Sequence, residues 1–172
     1  MTKQDLFNIA AWGSGGGWRN RAYNLRVAAE VLFKPYSRQF DSKGEVLPDR
    51  QLRNPKYLVM GPVILMVAGL SIENLAKGLW VRKNKTSPPG RLPTELTRSH
   101  RVTVDLLKAA DVQLTPKEIL LVRMLETFVT WAGRYPVPRR PEDMEPPRHF
   151  SQTEFRRFQE LHDRLSKTWN TR

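Results

Sequence analysis

An all-α fold follows from three features of the chain: apolar residues recurring at intervals of three and four, helix-start signatures ahead of those runs, and no alternating run that would make a strand. The expected architecture is a bundle of four to five helices forming one domain over 1–172. It has an N-terminal arm at 1–17, a long loop at 34–55 after the first main helix and a Pro-rich loop at 136–150.

Thr2 to Trp12 reads as a short amphipathic helix, with Thr2 and Asp5 as its capping pair and Leu6, Phe7, Ile9 and Ala10 as its apolar side. Ser14-Gly-Gly-Gly17 breaks it. From Trp18 to Phe33, Trp18, Ala22, Leu25, Ala29 and Leu32 recur at three and four, the pattern of a helix packing one stripe into a core. Lys34 to Pro55, with Pro35, Gly44, Pro48 and Pro55 and few apolar positions, reads as a loop. Pro62 suits the first turn of the next helix, where its missing amide hydrogen would lack a partner in any case, and that helix runs to about Val81. Its first half is apolar nearly all round, as a central buried helix requires. In its second half Glu73 and Lys77 stand four apart and can pair.

Asn84 to Pro93 is a linker, after which His100, Val104 and Leu107 share one face of a shorter helix ending near Asp111. Thr115-Pro-Lys-Glu118 is a capping box with proline in the first turn; it opens a helix to about Ala132 whose core line is Leu121, Leu125, Phe128 and Ala132. Ser151-Gln-Thr-Glu154 starts the last helix by the same logic, and its stripe is Phe155, Phe158, Leu161, Leu165 and Trp169.

A chain of 172 residues can bury a core without staples, and the absence of cysteine excludes disulfides, thiolate metal sites and a cysteine nucleophile. That composition is compatible with a reducing cytoplasm, where the protein is expected. The start Met-Thr-Lys-Gln-Asp lacks the pattern of a secretory signal. Tyr57 to Ile72 carries no charge, but it is shorter than the roughly twenty apolar residues of a membrane span and is interrupted by Gly61-Pro62, so no membrane partner is expected. A net charge of +12 attracts polyanions and binds nucleic acid without sequence readout; a basic soluble protein with no such partner fits the same number.

Gly13-Ser-Gly-Gly-Gly17 is no phosphate loop, since no strand precedes it and no Gly-Lys-Ser/Thr follows. His100, His149 and His162 show no metal-ligand spacing, so neither metal nor cofactor is expected. The five tryptophans fall mostly on apolar stripes and are core residues before they are stacking platforms.

The segment Gly69-Leu-Ser-Ile-Glu-Asn-Leu-Ala-Lys-Gly-Leu79, the later His100 opening a Leu-rich helix, and Arg134-Tyr-Pro136 after a further helix together resemble the HEPN superfamily over Trp18 to Pro138. The resemblance implies a HEPN-like helical bundle, a homodimer, and a role linked to RNA or nucleotides in a toxin–antitoxin or phage-defence setting. Under it Glu73, Asn74, Lys77, His100, Arg134 and Tyr135 line a binding groove. The plainer reading makes Glu73 and Lys77 an intrahelical ion pair and Arg134 a helix-end brace. Nuclease members carry Arg followed by four to six residues and then His, so the resemblance assigns Arg156 or Arg157 with His162 to metal-independent RNA cleavage, His162 as acid or base and the arginine on phosphate. At about 100° per residue Arg157 lies about 140° round the helix from His162, so the two meet only across a dimer. Otherwise His162 is a hydrogen-bonded histidine at the edge of a core stripe. A non-enzymatic module whose basic surface meets an acidic protein is the remaining alternative.

Overall fold

The computed structural model describes residues 1–12, 16–41, 43–48, 51–52, 54–84, 93–97, 103–132 and 150–170, and every regular element among them is helical. In chain order these are α1 (Lys3–Trp12), α2 (Gly16–Ser37), a 3₁₀ segment (Pro55–Met60), α3 (Gly61–Lys83), α4 (Thr94–Thr97), α5 (Thr103–Ala109), α6 (Pro116–Thr127) running on as a π-helical turn (Phe128–Ala132), and α7 (Gln152–Asn170).

α3 is the hub, because its apolar surface on all sides needs neighbours on all sides. It packs against α2, α5, α6, the π-helical turn and α7. Lys56–Lys83 is long and apolar enough to cross a membrane, yet half of its most apolar window is buried inside the protein, as befits a core helix. α2 runs antiparallel to α3: Tyr36, near the end of α2, meets Gly61 at the start of α3, and Trp18, near the start of α2, meets Gly78 near the end of α3. Two glycines set how closely α3 is approached. A Cβ at Gly69 would stand 2.9 Å from the Leu125 carbonyl oxygen, and one at Gly78 would stand 2.6 Å from Trp169 Cη2.

The stripe on α7 is buried throughout, from Phe155 at 6% exposed to Trp169 at 3%. Phe155 stacks on Phe33 of α2 with ring centres 3.8 Å apart, and Phe150 meets both edge-on. The fully buried Tyr36 hydroxyl accepts a hydrogen bond from the Phe150 amide at 3.1 Å, which ties the end of α2 to the residue ahead of α7.

α2 is longer than the Trp18 to Phe33 stripe suggests and passes through Pro35. Proline so near a C-terminus removes a single ladder hydrogen bond. That loss is offset by full burial of the next residue, Tyr36, and by Gln39 Nε2 donating to the Pro35 carbonyl at 3.0 Å. The 34–55 excursion is built around buried Gln39, whose carbonyl accepts from the Leu47 amide and whose side-chain oxygen accepts from the Asn54 amide. At its tip Asp41 Oδ1 accepts from the amides of Lys43 and Glu45, and Gly44 takes a φ of +84°, which glycine tolerates without strain. The only bridge between extended residues among those described, Phe40 to Val46, closes this turn. The helix expected from His100 is described from Thr103, with Val104 and Leu107 buried; His100 itself lies outside the described residues, as does 136–149 of the Pro-rich loop.

Candidate functional site

The polar residues in the middle of α3, Ser71, Glu73, Asn74 and Lys77, are buried or half-buried. Glu73 is 3% exposed and pairs with Lys77 Nζ at 2.6 Å, one helical turn on. The Lys77 ammonium in turn lies 5.9 Å from the centre of the Trp18 ring, a cation–π arrangement across α2 and α3. Asn74 Nδ2 donates to the Leu70 carbonyl of its own helix at 2.7 Å. Ser71 Oγ, fully buried, donates to the Ala22 carbonyl at 2.7 Å and pins α3 to α2. Arg134 and Tyr135, expected beside this group, lie outside the described residues.

His162 sits where α7 packs on α2, at 3% exposure. Its Nδ1 faces Arg26 Nη1 at 3.2 Å and Ser166 Oγ at 3.4 Å. Arg26 spans the interface: its guanidinium also pairs with Asp163 of α7 and, through Nε, with Glu30 at 3.0 Å. Glu30 Oε1 accepts again from Gln159 Nε2 at 2.9 Å. Burial and the Arg26 charge push the imidazole down to about 4, against the opposing pull of the Ala22 carbonyl, Asp163 and Glu30. His162 is therefore neutral at pH 7, and facing a guanidinium its Nδ1 must be the acceptor, which places the ring proton on Nε2. Nε2 is buried and has no hydrogen bond of good geometry among the described residues.

Arg156 and Arg157 lie elsewhere. Arg156 is exposed and stands 3.9 Å from Glu160, while Arg157 opens onto a cleft of about 190 Å³ between α6 and α7, together with Lys117, Leu120, Leu121, Met124 and Glu154. Neither arginine bonds to His162; the arginine that does is Arg26. Periodicity could not have named it, because a stripe marks which face is buried without naming the neighbour. The sole sequence trace of this cluster is the Arg26 and Glu30 spacing of four on α2.

α7 is braced to α6 by Arg164, whose Nε and Nη2 both donate to Glu118 Oε1, at 3.0 and 2.7 Å. Burial pushes Glu118 up, but the Thr115 amide of the capping box and Arg164 together hold it below the usual glutamate range. A second buried carboxylate, Glu126, accepts from the Val104 amide at 3.3 Å and from Arg123 at 2.8 Å, tying α5 to α6. Among the described residues no group of three or more acidic or histidine side chains is placed to hold a metal ion. No protein-family model, curated protein or solved structure matches this chain.

Proposed function

We propose that this chain is a HEPN-like helical module that binds RNA through exposed cations, in a toxin–antitoxin or phage-defence setting, and does not cleave it through His162. The observation that carries this reading is the set of unpaired cations. In a chain of net charge +12, the side chains of Lys34, Arg38, Lys117, Arg157 and Lys167 are exposed and make no ion pair or hydrogen bond among the described residues. Cations without acids stay available to phosphates, and each phosphate neutralised releases counterions.

Burial argues against catalysis by His162. A general acid or base must come within hydrogen-bond reach of the proton it moves, and its proton affinity should lie near the working pH. A ring enclosed by α2 and α7 and pushed down to about 4 meets neither condition. The unpaired-cation reading needs no such group.

The deciding experiment incubates labelled tRNA and messenger RNA with wild type, His162→Ala and Arg157→Ala in EDTA, and measures binding and integrity in the same samples. Bound and intact RNA is expected, with log affinity falling against log salt by about 0.7 per phosphate contacted, and less steeply for Arg157→Ala. Cleavage by wild type that disappears in His162→Ala would replace this reading with the ribonuclease one. Affinity indifferent to salt would remove phosphate from the interface.

A further inference from the structure

We infer that the cleft between α6 and α7 docks an acidic peptide segment of a partner protein by a single aliphatic anchor side chain. The cleft, at about 190 Å³, is too small for a drug-sized ligand, which needs roughly 300 to 1,000 Å³, but has room for one side chain. Its floor is Leu121 and Met124, both nearly buried, and its wall is Leu120, 71% exposed despite lying in the middle of α6. An aliphatic side chain laid there would remove Leu120 from water at roughly 25 cal/mol per Å² of apolar surface covered.

Charge selects the flanks of that anchor. Lys117 and Arg157 line the cleft from opposite helices and are unpaired among the described residues, so carboxylates on either side of the anchor meet a cation each. Glu154 identifies the backbone between them. Its Oε2 is occupied by the Ser151 amide at 3.0 Å and the Ser151 hydroxyl at 2.8 Å, while Oε1 makes no hydrogen bond among the described residues. A carboxylate oxygen in this position accepts a peptide N–H, a donor that a phosphodiester group does not offer. Among the described residues no aromatic ring lines the cleft, and a nucleobase would find no stacking platform there. A second copy of this chain would bring a further +12 against Lys117 and Arg157. Lys117 and Arg157 are shared with the RNA-binding proposal, which draws also on Lys34, Arg38 and Lys167 outside this cleft, so neither proposal depends on the other.

The test uses a fluorescein-labelled peptide, acetyl-Glu-Asp-Leu-Asp-Glu-amide, titrated with the full chain by fluorescence anisotropy, while the Met124 methyl resonance is followed by NMR. Saturable binding that shifts the Met124 methyl, weakens about tenfold when the central leucine is replaced by alanine, and is lost on charge reversal at Lys117→Glu or Arg157→Glu would support it. Lys117, Arg157 and Leu120 are exposed, and Leu120→Ser, expected to weaken binding by a similar factor, should leave the circular dichroism melt unchanged. Equal affinity for the leucine and alanine peptides would mean simple charge attraction and overturn the anchor. Displacement by adenosine monophosphate but not by the unlabelled peptide would make the occupant a nucleotide, and no binding at millimolar peptide would overturn the site altogether.

Discussion

Arg26 Nη1 lies 3.2 Å from His162 Nδ1, so a guanidinium rests against a buried imidazole. The arrangement is stable because the ring is neutral and accepts, and because Asp163 and Glu30 take up the arginine charge from either side. Protonating His162 would set two cations against each other inside the α2 and α7 interface.

Stability should accordingly fall in mild acid. With the folded imidazole at about 4 and the unfolded one near 6.5, the unfolded chain binds more protons between those values. The stabilisation is complete above pH 6.5, declines as pH drops, and is lost by about pH 4, for a change of about 3 kcal/mol. Urea midpoints at pH 7 and pH 4.5 measure it. His162→Gln should flatten this dependence while the acid titration of the carboxylates remains.

Tyr36→Phe should destabilise the fold by about 1 to 3 kcal/mol with little change in shape. Removing the hydroxyl leaves the Phe150 amide, bonded to it at 3.1 Å in a buried setting, without an acceptor. Thermal or urea unfolding gives the magnitude, and hydrogen exchange at Phe150 gives the place. An unchanged melting curve would mean that another acceptor serves that amide.

Lys77→Ala should cost more, about 3 kcal/mol, because it withdraws the ammonium 2.6 Å from a carboxylate that is 3% exposed. Neutralising Glu73 as well, in the double variant Glu73→Gln with Lys77→Ala, should recover part of that loss. Urea midpoints of the single and double variants decide the matter. If the double variant is no more stable than the single, the charge on Glu73 is not what Lys77 compensates.

The helices are legible in the sequence where one physical signal dominates. The α7 stripe from Phe155 to Trp169 follows the 3.6-residue repeat and starts at a capping box, and the Thr115 to Glu118 box opens α6 as its residues require. Legibility fails where tertiary contacts override local preference. Pro35 reads as a helix stop, yet burial of Tyr36 carries α2 two residues past it. Phe128 to Ala132 continues the core line but widens to a π-helical turn, and no residue in Phe-Val-Thr-Trp-Ala announces that. At the site, Glu73 with Lys77 is readable as an i, i+4 pair, whereas the Arg26 contact spans 136 residues and the α6 and α7 cleft arises from two helices meeting.

Gly78→Ala tests how tightly the bundle closes on α3. In an exposed helix this change would stabilise by about 1 kcal/mol through helix propensity. Here the new methyl would stand 2.6 Å from Trp169 Cη2 and 2.9 Å from Trp18 Cβ, and the Trp169 ring or the α2 backbone would have to move. Overpacking of that kind costs about 1 to 3 kcal/mol and should outweigh the propensity gain, giving a lower melting temperature. Trp18 Cβ is fixed to the α2 backbone, so the easier relief is at Trp169, near the end of α7. Combining Gly78→Ala with Trp169→Leu should therefore cost less than the sum of the two single changes, with a coupling of about 1 kcal/mol in a double-mutant cycle. Strict additivity would place the clash at Trp18 and make the α2 and α3 contact, not the end of α7, the part of the bundle that cannot give.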